Sequence, residues 1–184
     1  TRQDGKLWRK SAFYILFLAI VLNILVLFPS IGLEHGGARR WIALGQFSFQ
    51  PSEILKLGFI LYFAAWTASV RDKIKTLRFG FIPFLVLLAI AGFLLLLQPD
   101  TDTFLIIVIT GMAMFISAGG EWKQILIIIL AGVIGIGLLD YTRPYIKQRI
   151  NTFLNPQTDS LGASYQIQQS LIAIGSGGVF GTGF

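Results

Sequence analysis

The sequence contains no cysteine and a single histidine, His35. The first absence excludes a disulfide framework and any thiolate metal site, and the second excludes a zinc centre built from several imidazoles. Charge is scarce too. Asp, Glu, Lys and Arg together make up 13% of the 184 residues, about half the share found in a soluble domain. Apolar residues make up 54%, and they are blocked into long runs, which is the pattern of a membrane protein and not of a soluble core. The net charge is +6 at pH 7. In such a chain a basic excess marks the loops kept on the cytoplasmic side of a membrane, so nucleic acid is not expected as a partner. The chain begins with Thr1 and stops in a glycine-rich run, and it reads as an excerpt of a longer polypeptide.

A spanning helix needs about 20 mostly apolar residues. Five stretches qualify: Ser11–Phe28, Ile54–Val70, Phe79–Leu97, Thr103–Ala118 and Ile125–Leu139. Pro29 ends the first and Gln98-Pro99 the third, because proline disfavours helix in the residue before it. The second opens at Pro51-Ser52, with Ser52 as the expected cap. Tyr165–Ile174, which carries Gln166, Gln168 and Gln169, is too short to cross and reads as an amphipathic helix lying at the interface. Gly132, Gly135 and Gly137 in the fifth span are expected to allow close helix packing. The fold class is therefore all-α: one polytopic integral-membrane domain over residues 1–184, with five spans and a large extracytoplasmic loop, 140–184.

Short basic loops orient the spans. Arg2, Lys6, Arg9 and Lys10 precede the first, and Arg71, Lys73, Lys75 and Arg78 join the second to the third. Alternation puts both groups on one side, the cytoplasm. The other side then holds His35 to Glu53, Gln98 to Asp102 and Asp140 to Phe184. It is unexpectedly cationic, with Arg39, Arg40, Lys56, Arg143, Lys147 and Arg149 beside Glu34, Glu53, Asp100, Asp102, Asp140 and Asp159. A phosphorylated, membrane-anchored ligand at the outer leaflet would account for basic residues that topology does not favour.

Three groups of residues carry chemistry. In Gly36-Gly37-Ala38-Arg39-Arg40-Trp41 followed by Gln50-Pro51-Ser52-Glu53-x-x-Lys56, the arginines can grip phosphate oxygens in bidentate fashion, and Glu53 and Lys56 share one helical face. The same residues also suit a structural ion pair with snorkelling arginines. Gln98-Pro99-Asp100-Thr101-Asp102 holds an Asp-x-Asp, which is either a divalent-cation ligand pair or a helix cap before Phe104. In the last loop, Asn155-Pro156-Gln157-Thr158-Asp159 offers a carboxylate near Arg143, Lys147 and Arg149, as a general base or a turn-former. Gly175–Gly183 is glycine-rich but lacks the Gly-Lys-Ser/Thr ending of a nucleotide loop.

Taken together these residues resemble the SEDS family of cell-wall proteins, which includes FtsW, RodA and SpoVE. The run from Gly37 to Lys56 is similar to one family signature and Gln98-Pro99-Asp100 to a second. The third is Arg149-Ile150, Asn155-Pro156-x-x-Asp159-x-x-Gly162-Ala163-x-Tyr165-Gln166, and Gln169-Ser170 through Gly178. One departure is Asp102, which stands where the family usually has glycine, after Thr101 where it usually has an apolar residue. The resemblance implies ten spans, of which these would be the third to the seventh. It also implies a peptidoglycan glycosyltransferase that polymerises lipid II at the outer face of the bacterial cytoplasmic membrane, in division or elongation. Asp159 would then be the catalytic base. Arg39, Arg40, Lys56 and Arg149 would contact phosphate, and Glu53 would orient Lys56. The implied partners are lipid II, undecaprenyl pyrophosphate, membrane lipids, a class B penicillin-binding transpeptidase and other division or elongation proteins. No cofactor is implied, a divalent cation being the one candidate. Two other readings use the same surface: a lipid II flippase, which gives Asp159 no necessary role, and a non-catalytic division scaffold.

Overall fold

The computed structural model describes residues 5–35, 38–45, 47–142, 152, 154, 164–178 and 181. The chain divides into two compact units, Thr1–Ile125 and Leu126–Phe184. Arg149 and Asp159, the motif around Asn155-Pro156, and Arg143 and Lys147 lie outside the described residues.

The first unit opens with helix α1, Gly5–Leu25, which ends four residues before Pro29. A three-stranded antiparallel sheet follows, formed by β1 (Gly32–His35), β2 (Ala38–Leu44) and β3 (Phe47–Phe49) in that spatial order. The chain is mainly helical, as expected, and the sheet is an addition to that reading. A long connection would otherwise leave its backbone N–H and C=O groups unpaired, and two hairpins satisfy them. Gly45, at a φ of +66°, supplies the left-handed turn between β2 and β3.

Helix α2, Pro51–Ser69, starts where the sheet ends. Its cap is Gln50 and not Ser52. Proline occupies the first helical position, where its missing N–H is no loss, and Ser52 is drawn into the helix and fully buried. A 3₁₀ turn at Arg71–Lys73 and a π-helical turn at Leu77–Phe81 lead into α3, Ile82–Leu97. Helix α4, Thr101–Ser117, begins at its Asp100 cap, and the Gly119 turn (φ +91°) leads to α5, Trp122–Thr142.

By length and composition, two helical stretches among the described residues can cross a membrane, Leu7–Leu25 and Leu77–Leu97. Thr101–Ser117 and Trp122–Gly135 are shorter apolar helices. Much of the first unit's surface is large and apolar: Phe13, Tyr14, Phe93, Leu105 and Ile109 are all more than half exposed, as expected of helices that face lipid.

The core between α2, α3 and α4 is a column of phenylalanines. Phe59 lies 5.8 Å from Phe63, which stacks on Phe84 at 4.8 Å, which stacks on Phe115 at 5.2 Å. In lipid, such packing holds helices together through dispersion, since burial from the acyl chains adds little. Small residues let the helices approach. A Cβ on Gly58 would stand 2.9 Å from the Leu16 Cα on α1, and one on Gly111 would stand 2.7 Å from the Phe84 ring. Gly92 on α3 is as close to α4, where a Cβ would stand 2.8 Å from the Phe104 ring. At Gly132 and Gly135, where close packing was expected, a Cβ meets nothing within 4 Å.

In the second unit, α5 runs on from Leu126 and helix α6 spans Tyr165–Gly177. The 13 residues of α6 are too few to cross a bilayer, and Leu171, Ile172 and Ile174 on it are exposed.

Candidate functional site

The candidate site lies where the sheet, the start of α2 and the α3–α4 turn meet, and it depends on one irregularity in strand pairing. Leu33 pairs with Trp41 and Glu34 with Arg39, so the register shifts between Leu33 and Glu34 and Arg40 is the extra residue on β2. Such a bulge re-aims side chains. Arg39 turns to its cross-strand neighbour and pairs with Glu34 at 3.0 Å, both side chains being well exposed. Arg40 turns the other way. Its Nε donates to the Gln98 carbonyl at 3.0 Å and a terminal nitrogen donates to the Pro99 carbonyl.

The turn that Arg40 grips is also held from three other directions. Gln98 is buried, and its amide nitrogen donates to the Asn23 carbonyl (3.0 Å) and to Asn23 Oδ1 (3.2 Å) at the end of α1. Asn23 is itself fully buried and anchored by a 2.8 Å bond to the Ala19 carbonyl. Asp100, 4% exposed, accepts from Gln50 Nε2 at 3.2 Å and from the Thr103 amide at 3.4 Å. The cap alternative for the Asp-x-Asp is thus the role Asp100 occupies, and Asp102 falls in the first turn of α4, where the helix dipole favours a carboxylate. Among the described residues, no group of three or more His, Asp or Glu side chains is gathered to hold a metal.

On α2, Glu53 and Lys56 form the expected pair at 2.8 Å, with Lys56 largely buried and Glu53 60% exposed. Of the three cations, Arg39 and Lys56 each share a carboxylate, while Arg40 ion-pairs with none among the described residues. Its bonds to carbonyls orient the guanidinium without neutralising it. Ser52 Oγ and Gln98 Oε1 are buried with no hydrogen-bond partner among the described residues, an arrangement that costs about 1–3 kcal/mol per atom unless water or ligand meets it.

Sequence reasoning missed Asn23. The signal was present, a lone carboxamide in the middle of an apolar run, and in a membrane helix a polar residue of that kind calls for a partner. The differing roles of Arg39 and Arg40 carried no such signal.

A helical membrane protein with a cationic, sheet-covered end, braced by a Gln-Pro-Asp turn, is the class defined so far. The family model described as "Cell cycle protein", which takes in FtsW, RodA and SpoVE, matches residues 1–184, and the chain belongs to that family. It is 39% identical over 182 residues to the "Probable peptidoglycan glycosyltransferase FtsW" of Idiomarina loihiensis, covering 99% of this chain and 44% of that protein. It is 37% identical over 176 residues to the stage V sporulation protein E of Bacillus subtilis, covering 96% and 48%. The chain thus spans about half the length of these relatives. Among solved structures, it is similar to a chain of a peptidoglycan synthase complex that coordinates polymerization and crosslinking, with a TM-score of 0.74, 29% identity, and coverage of 97% of this chain and 52% of that one. The rod shape determining protein RodA of Thermus thermophilus matches with a TM-score of 0.59 and 28% identity, over 72% of this chain and 42% of that one.

Proposed function

We propose that the protein is a peptidoglycan glycosyltransferase that polymerises lipid II on the outer face of the cytoplasmic membrane, and that α1 to α5 are five spans of a larger bundle. The observation that carries this reading is the placement of Arg39 and Arg40 on β2 and Lys56 in the second turn of α2, with Arg40 ion-paired to no carboxylate among the described residues, in a chain so similar to probable peptidoglycan glycosyltransferases. Glycan transfer expels undecaprenyl pyrophosphate, and fixed positive charge placed where that anion develops lowers the barrier. Arg39, Arg40, Lys56 and Arg149 are the proposed phosphate contacts. Glu53 holds the Lys56 ammonium in place, and Asp159 takes the proton from the attacking sugar hydroxyl. A class B penicillin-binding transpeptidase is the proposed partner, in keeping with the synthase complex that the chain resembles.

The test is Asp159→Asn in the full-length protein, supplied with labelled lipid II. Asparagine keeps shape and turn preference but cannot act as a base, so polymerisation should fall by about 10²–10⁴-fold with insertion and lipid II binding intact. Polymerisation at nearly the normal rate by a well-inserted variant would remove the catalytic assignment and favour lipid transport, which needs no base at this position.

A further inference from the structure

The other end of α2 and α3 carries a second cationic group that the proposed function does not use. Arg71, Lys73, Lys75 and Arg78 are all exposed, and Asp72 is the one carboxylate among them. None of the four cations makes an ion pair among the described residues. A topology signal requires only that such charges be present on one side. Here they are also arranged. The Lys73 ammonium lies 5.2 Å from the centroid of the Phe79 ring and the Arg78 guanidinium 5.5 Å from the same centroid, so one ring holds two cations.

The segment that carries them is tied down at several points. The Trp66 indole N–H donates to the Phe79 carbonyl at 3.1 Å. The Thr76 hydroxyl donates to the Lys73 carbonyl at 2.7 Å and accepts from the Phe79 amide at 3.3 Å. Gln124, buried at the start of α5, donates to the Lys75 carbonyl at 3.0 Å. This fixed cluster sits at the start of Leu77–Leu97, a stretch long and apolar enough to span, beside the exposed side chains of Leu77 and Ile82. Two oriented cations at the level where the apolar surface begins match a phosphate whose own tail continues along that surface.

We infer that Lys73, Arg78 and the Phe79 ring that both approach form a binding site for the headgroup of an anionic phospholipid, with Arg71 and Lys75 adding longer-range attraction. The site depends on Leu77–Leu97 lying in the membrane and is independent of the glycosyltransferase reading.

The experiment uses the full-length protein in uncharged detergent micelles, titrated with short-chain phosphatidylglycerol and followed by native mass spectrometry. Phosphatidylcholine and inorganic phosphate are run beside it. Phosphatidylglycerol should be retained in preference to phosphatidylcholine, and inorganic phosphate should not displace it. Lys73→Gln and Arg78→Gln should each weaken retention about fivefold. Phe79→Leu keeps every charge and removes only the ring that arranges them, so it should also weaken retention. Equal retention of the two lipids would overturn the site. So would Phe79→Leu binding like the unaltered protein, since charge alone would then suffice, and so would displacement by inorganic phosphate, which would make the ligand a soluble anion.

Discussion

Replacing Arg40 by alanine should loosen the α3–α4 turn while its neighbour Arg39 can be removed with little consequence there. Arg40 supplies two hydrogen bonds from a charged donor, one to Gln98 in partly buried surroundings and one to Pro99 nearer solvent. The first is worth about 1.5–3 kcal/mol and the second, discounted for exposure, about 0.5–1. A loss of about 2–4 kcal/mol raises the local opening equilibrium about 30- to 700-fold. Hydrogen–deuterium exchange reads that opening directly, because the Gln98 and Asp100 amides both bond to the Leu95 carbonyl and the Phe104 amide bonds to the Asp100 carbonyl. Exchange at these three amides in the full-length protein should accelerate by that factor in Arg40→Ala. Arg40→Lys should recover only part, since an ammonium lacks the planar fork that spans consecutive carbonyls. Arg39→Ala removes an exposed ion pair worth about 0–1 kcal/mol and should change the same amides less than about fivefold. Equal acceleration in the two alanine variants, or none in either, would refute the division of labour between the two arginines.

Gly58→Ala should push α1 away from α2, because the new methyl would meet the Leu16 backbone at 2.9 Å. The expected cost of about 1–3 kcal/mol would be read as a lowered thermal midpoint in detergent. At the α4 cap, Asp100→Asn keeps an acceptor for the Thr103 amide but sets an NH2 group against Gln50 Nε2, so it loses that hydrogen bond as well as the charge at the helix N-terminus, for about 1–2 kcal/mol. Asp100→Ala loses the cap as well and should cost about 1 kcal/mol more in denaturant unfolding. Single cysteines at Gly36, Thr101 and Gln157 should react with an impermeant thiol reagent from the periplasmic side, and one at Thr76 should not. The reverse pattern would invert the proposed orientation.

The parts of the fold that were legible in the sequence are those decided within one segment. Proline at 51 and 99 marked helix limits because its ring acts on adjacent residues whatever surrounds it, whereas α1 stops at Leu25, short of the Phe28 limit expected from Pro29. The spacing of Glu53 and Lys56 gave their pairing, and Asp100 before an apolar run gave the α4 cap. The features decided by a partner elsewhere were not legible. Nothing in Ala38–Leu44 alone shows that Leu33 and Glu34 will be paired out of step against it, so the differing directions of Arg39 and Arg40 could not be read. Asn23 and Gln98 stand 75 positions apart, and the buried Oδ1 of the first is met by the amide nitrogen of the second. The glycines show the same limit. A three-glycine pattern in α5 attracted the packing assignment, yet contact falls at Gly58 and Gly111, isolated glycines whose importance comes from the helices opposite them.

The bulge in β2 also makes two identical neighbouring letters unequal under substitution. At position 39 the requirement for folding is a positive tip within reach of Glu34, which lysine meets and which a neutral residue loses at small cost to stability, whatever its cost to the proposed phosphate contact. At position 40 the requirement is geometric. The side chain must be long enough to leave the sheet and planar enough to address two carbonyls at once, and it stays charged with no ion-paired carboxylate among the described residues. Inserting or deleting one residue in β2 would exchange these positions, placing Arg39 over the turn or pointing Arg40 at Glu34, without changing the composition of the strand's charged groups. The length of this hairpin, counted in single residues, therefore sets which arginine braces the α3–α4 turn.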